Sequence, residues 1–164
     1  MTLPALVRHR VESLGLAPHR EGGFYREIFR SAEQVTPADG RDTRSALTVI
    51  HFLLPAGAHS RWHQVTSDEV WHLYEGGPLE LLELDESLMT MTRHRLASIG
   101  DSGGAPVHSV RSRCWQAARP LGAYVLVGCT VGPGFEFADF RLLADDPQSA
   151  AIVRDRWSDV GGLI

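Results

Sequence analysis

The segment from Gly57 to Gly76, GAHSRWHQVTSDEVWHLYEG, places an imidazole, His63, and a carboxylate, Glu69, on two successive extended stretches. Side chains alternate faces along a strand, so His63 shares a face with Arg61 and Val65, and Glu69 shares one with Trp71 and Leu73. If both faces line the inside of a barrel, His63 and Glu69 converge there. Two chemistries suit such a pair. A divalent metal would want more imidazoles beside the carboxylate, yet Val65 offers no lone pair where a further donor would stand. A buried imidazole beside a carboxylate can instead abstract and return a proton near neutral pH. The plainer alternative is a hydrogen-bonded pair that orders the core, since structural pairs also perturb titration.

Other side chains extend these possibilities. Gln116, in VRSRCWQAA at 110–118, can donate and accept hydrogen bonds but coordinates metal only weakly. A metal would therefore rest on His63, Glu69 and Gln116. Tyr25, Arg26 and Glu27 put a phenol, a guanidinium and a carboxylate in one short stretch. Arg26 or Arg61 could grip a ligand carboxylate or phosphate through the planar donor fork. Arg61 has the better claim because it shares the His63 face, whereas Arg26 and Glu27 fit surface ion pairs on an edge strand better. Phe52, Trp71 and Trp115 suit a planar or ring-shaped ligand, although most aromatics in a small β domain fill core. His51, His59, His72, His94 and His108 show no ligand-like pairing and read as structural or solvent-exposed. Cys129 reads as a small buried hydrophobe rather than a nucleophile.

These residues need strands to carry them. Leu3, Leu6, Val7, Val11 and Leu14 fall on one helical face, and Gly15 with Ala17-Pro18 should end that helix. Strands are expected at 23–31, 46–54, 70–74, 79–84, 89–96, 107–110, 124–131 and 135–142, followed by a short helix at 147–157. Short strands separated by Gly, Pro, Asp and Ser clusters indicate a sandwich or barrel. The chain has 164 residues, 16 basic and 20 acidic, a net charge of −4, and two cysteines without Cys-x-x-Cys spacing. That size predicts one domain over 1–164. The charge argues against a nucleic-acid partner, and no apolar run reaches the length of a membrane span. The cysteine usage and the lack of a leader predict a reducing, cytoplasmic setting.

The stretch at 57–76 resembles the first signature of the cupin superfamily, with Val65 where a second histidine usually ligates metal. The stretch at 110–118 stands where the second signature would be, with Gln116 at the position of its histidine. LAPHREGGFYREIFRS at 16–31, SRWHQVTSDEVWHLYEGGPLEL at 60–81, CWQAA at 114–118 and LVGCTVGPGFEFADFRLL at 126–143 together resemble the single-domain cupins of domain-of-unknown-function family 985. In that family the Trp-His-x-Val and Trp-Gln-Ala-Ala forms are usual, so Val65 and Gln116 are shared traits. The departures are local: His19-Arg20 in place of His-Pro, and Arg111-Ser112-Arg113 in place of a Pro-Ala-Gly turn. The resemblance implies an all-β double-stranded β-helix, a homodimer, and a pocket like those of sugar-nucleotide epimerases.

The functional expectation is a small-molecule-binding cupin. As an enzyme it would be a metal-independent epimerase, isomerase or cyclase, with His63 as general base, Glu69 orienting or charging it, and Tyr25 or Gln116 holding substrate. The alternative is a non-catalytic module for a sugar-, nucleotide- or aromatic-type metabolite. A metal-dependent oxygenase ranks last. No cofactor is expected, with a divalent metal as the exception to be tested.

Overall fold

The computed structural model describes residues 3–164. In chain order the elements begin with α1 (Ala5–Leu14), β1 (Ala17–Pro18), β2 (Phe24–Arg30), β3 (Gln34–Val35), β4 (Arg44–Ser45), β5 (Thr48–Pro55), β6 (Ser60–Gln64) and β7 (Asp68–Gly76). They continue with β8 (Leu79–Leu84), β9 (Met91–Leu96), β10 (Val107–Val110), β11 (Trp115–Pro120), β12 (Tyr124–Gly132), β13 (Arg141–Leu142) and α2 (Pro147–Arg156). The larger sheet has six strands in the order β1-β2-β5-β12-β7-β10, and the facing sheet has five in the order β13-β6-β11-β8-β9. Every pairing within them is antiparallel. This is the double-stranded β-helix that the sequence predicts.

The apolar pattern explains why both sheets are covered twice. Phe52, Leu54, Trp71, Leu79, Leu81, Val125 and Val127 fill the space between the sheets. The alternate positions are apolar too. Leu53 and Leu126 point the other way, against Val7 of α1. Leu82, Leu84, Trp62, Trp115 and Ala117 pack against Ala150 and Val153 of α2. Strands buried on both faces read as continuous apolar runs, as in Leu79-Glu80-Leu81-Leu82. The helices end as their sequences dictate: Gly15 closes α1 in the left-handed region at φ 62°. Asp146 caps α2 by accepting from the Gln148 and Ser149 amides.

Two expectations change. The strand expected at 135–142 is instead a 3-10 turn at Phe137–Asp139 followed by the two residues of β13. Asp139 holds that turn down by pairing with the Arg41 and Arg44 guanidiniums, which fixes a bend where the aromatic content alone favours a strand. The second is that β1, β3, β4, β6 and β11 add to the expected strands; β11, which carries Gln116, pairs with both β6 and β8. Among the described residues no helix is long and apolar enough to cross a membrane.

Candidate functional site

A cavity of about 300 Å³ opens between the sheets. Ile50, Val65, Val131, Phe135, Phe137 and Phe140 form its apolar wall, while His19, Glu21, His63 and Glu69 supply its polar groups. At the rim, the Arg30 guanidinium donates to Glu27 at 2.9 and 3.0 Å and to Glu136 at 2.8 Å. Arg30 faces the cavity because β2 carries a bulge between Glu27 and Phe29, which shifts the alternation by one residue.

His63 sits on β6 and is buried. Its Nδ1 lies 2.8 Å from the Arg61 carbonyl oxygen. A carbonyl only accepts, so Nδ1 carries the hydrogen and Nε2 is the free position. That Nε2 lies 3.2 Å from Glu21 Oε2. The carboxylate in direct contact with His63 is therefore Glu21, on the turn between β1 and β2. Ser60 donates to the other Glu21 oxygen at 3.0 Å. Burial pushes the Glu21 carboxyl up to about 7, against the pull of His19, Ser60 and Arg61. Burial also lowers the His63 imidazole, opposed chiefly by the charge of Glu69. Below about 7 the proton thus belongs to Glu21 and bonds to a neutral His63 Nε2.

The Glu21 turn is built for this placement. The His19 amide donates to the Gly23 carbonyl at 3.1 Å, and the Arg61 amide donates to the Glu21 carbonyl at 2.7 Å. Gly22 has φ 113°, and a Cβ there would overlap the His59 carbonyl oxygen. Gly23 has φ 66°, and a Cβ there would come within 2.7 Å of the Leu53 carbonyl oxygen. The two glycines let the chain pass close enough to β5 and β6 to bring Glu21 onto His63. His19 Nδ1 accepts from the Glu21 amide at 3.3 Å, and its ring meets Tyr25 edge to face at 4.5 Å.

Glu69, on β7, is buried beneath the same cavity, and desolvation raises its carboxyl. Gln116 Nε2 donates to it at 2.5 Å, while Gln116 Oε1 accepts from Trp71 Nε1 at 2.9 Å. Gln116 is fully buried, so it positions Glu69 rather than facing a ligand. Cys129 lines the cavity beside Glu69, and its thiol is pushed well above the ordinary cysteine range by burial and by Glu69. It is a thiol, not a thiolate nucleophile.

The remaining sequence candidates divide by position. Tyr25 lines the cavity with His63 and Glu69. Phe52 and Trp71 are buried behind it, packed edge to face at 6.0 Å. Trp115 lies on the far face of its sheet in the core under α2, with the Arg141 guanidinium over its ring at 5.8 Å. Arg26 turns outward and donates to the Leu14 carbonyl at 3.0 Å. Arg61 shares the His63 parity, but its guanidinium is taken by the Arg20 carbonyl and does not line the cavity. His94 and His108, read from the sequence as unpaired, stack ring on ring at 3.5 Å, away from this cavity. Sequence reasoning missed His19 and Glu21 as site residues, although Glu21-Gly22-Gly23 carried the signal of an unusual turn.

The metal set expected from the sequence, His63 and Glu69 with Gln116, is not assembled here. Val65 has no donor, and both amide atoms of Gln116 are engaged. Among the described residues, no three groups of the cavity bring ligand atoms within 4.8 Å of one another.

Comparisons with known proteins agree with this architecture. Residues 8–143 match the family described as Cupin superfamily (DUF985). A hypothetical protein from Leishmania major is 27% identical with a TM-score of 0.78, over 90% of this chain and 96% of that one. A protein from Shewanella oneidensis is 32% identical with a TM-score of 0.76, over 94% of this chain and 96% of that one. The Lactobacillus farciminis oxalate decarboxylase formate complex shares the fold at 15% identity and a TM-score of 0.57, over 87% of this chain and 38% of that one. Among curated proteins none matches the sequence.

Proposed function

This chain belongs to the DUF985 family of the cupin superfamily, and we propose that it binds a small, ring-sized metabolite and moves a proton on it. The observation that carries this reading is the 3.2 Å contact between His63 Nε2 and Glu21 Oε2 at the polar end of an aromatic-walled cavity. A carboxyl raised and an imidazole lowered by the same buried site, poised to exchange a proton, are what an epimerase or isomerase needs. When Glu21 is ionised, His63 Nε2 can take a proton from a carbon next to a carbonyl, and the Glu21 carboxylate balances the imidazolium. Glu69, whose carboxyl is raised by burial, is a second acid-base group in the same cavity. Tyr25 and His19 line the cavity and supply a phenol and an imidazole as hydrogen-bonding groups for a substrate oxygen. A cavity of about 300 Å³ lies at the small end of ligand sites, which favours a monosaccharide or a single aromatic ring over a nucleotide-sugar.

A purely binding role is the second reading. It is favoured by the fact that no buried side-chain polar atom among the described residues lacks a partner, so the pair is also stable as a structural element. One experiment separates the two. The ligand carried by purified protein is released, identified by mass spectrometry, and returned to the protein in deuterium oxide. The proposal expects deuterium to enter a carbon-bound position, with loss of that exchange but not of binding in His63→Gln. Retention of the ligand with no exchange in the wild type would leave only the binding role.

A further inference from the structure

A second cluster of ligating side chains lies outside the cavity, where the two sheets end. β9 is one edge strand of the five-stranded sheet and β10 is one edge strand of the six-stranded sheet. Glu83 on β8 pairs with Thr92, and His94 on β9 pairs with Leu81, so Glu83 and His94 are diagonal neighbours across this hairpin. His108 on β10 comes from the opposite sheet, paired with Trp71 of β7. His94 Nε2 and His108 Nε2 lie 3.2 and 3.3 Å from the same oxygen, Glu83 Oε2. Among the described residues, these are the three groups whose ligand atoms all fall within 4.8 Å of one another.

We propose that Glu83, His94 and His108 form a divalent-cation site, suited to zinc, that ties these edges of the two sheets together. Zinc bonds of about 2.0–2.1 Å in a tetrahedral arrangement set neighbouring ligand atoms about 3.3 Å apart. The observed 3.2 and 3.3 Å separations have that size. Two imidazoles and a carboxylate are a donor set that zinc takes readily, with a fourth position left to water. The three side chains are 19–26% exposed, which leaves an ion a path in from solvent. Among the described residues, Glu83 forms ion pairs with these two histidines and with no lysine or arginine. The segment between β9 and β10 is held by few backbone bonds, such as the Ala97 amide to the Ala105 carbonyl at 3.0 Å. An ion bridging both edges would fix that crossing. This site is independent of the His63–Glu21 cavity and of the function proposed for it.

The test is calorimetric titration of the chelator-dialysed chain with zinc chloride alone. One ion per chain should bind, and the melting temperature should rise on saturation. Loss of an outer-shell partner already weakens metal sites about 10–100-fold, so His94→Asn and His108→Asn should each weaken binding at least that much. Glu83→Gln, which keeps the side-chain shape, carries the test if a histidine variant fails to fold. His51→Asn, remote from the cluster, should bind as the wild type does. No zinc binding, or binding that survives all three cluster variants, or binding lost in His63→Asn, overturns the proposal.

Discussion

Replacing Glu21 with glutamine should change how stability depends on pH more than it changes stability itself. Glutamine has the shape of the protonated acid: its carbonyl can accept from Ser60 and its amide can donate to His63 Nε2. In the wild type the Glu21 carboxyl is raised from 4.5 to about 7, mainly by burial. Between those values the unfolded chain has released this proton while the folded chain keeps it. The folded state then binds more protons, so the Glu21 contribution makes stability fall as pH rises. Below 4.5 both states are protonated and the effect vanishes; above about 7 it is complete. The difference, at 1.36 kcal/mol per pH unit, is about 3 kcal/mol. His63 acts in the opposite sense: its lowered value adds stability as pH rises toward 6.5, but both proteins share it. Urea denaturation of wild type and Glu21→Gln at about pH 4 and about pH 8 measures the difference directly. The variant should gain about 3 kcal/mol relative to wild type between these conditions. A pH-independent difference would mean that folding leaves the Glu21 carboxyl unshifted, and a wild type that gains on the variant as pH rises would mean that Glu21 is a stabilised carboxylate; either result would refute the reasoning.

Two further substitutions probe the scaffold of the site. Gln116→Leu removes the acceptor of Trp71 Nε1, leaving that buried group without a partner, and takes a donor from Glu69; at about 1–3 kcal/mol for an orphaned buried group it should lower the urea midpoint markedly. Gly22→Ala places a Cβ at φ 113° against the His59 carbonyl; it should cost about 1–3 kcal/mol and displace Glu21, so that the pH dependence measured in the Glu21→Gln comparison also shrinks.

The fold was largely legible in the sequence because its strands are bounded by turn residues and its first helix by Gly15. Leu79–Leu84 and Val107–Val110 were expected with the bounds they have. The aromatic segment after Gly134 misled, because Phe and Leu content favours strand while the ion pairs of Asp139 with Arg41 and Arg44 bend the chain. In the site, alternation correctly puts His63 and Glu69 at one cavity, since both lie on regular strands. Alternation fails where regularity does: the bulge in β2 brings Arg30 inward. Glu21 approaches His63 through a turn, and no periodicity describes a turn. His94 and His108 meet across two sheets, a contact that depends on how the sheets close.

The central claim is that the cavity holds a proton shared between Glu21 and a neutral His63. Nitrogen-15 NMR of the His63 side chain, followed from about pH 8 to about pH 5, tests it most directly. The account predicts a neutral imidazole with hydrogen on Nδ1, persisting below the ordinary histidine value of 6.5 because burial lowers its basicity, and an Nε2 lone pair that becomes hydrogen-bonded as pH falls through about 7 and Glu21 takes up its proton. An imidazolium already formed at neutral pH, paired with an ionised Glu21, would contradict it.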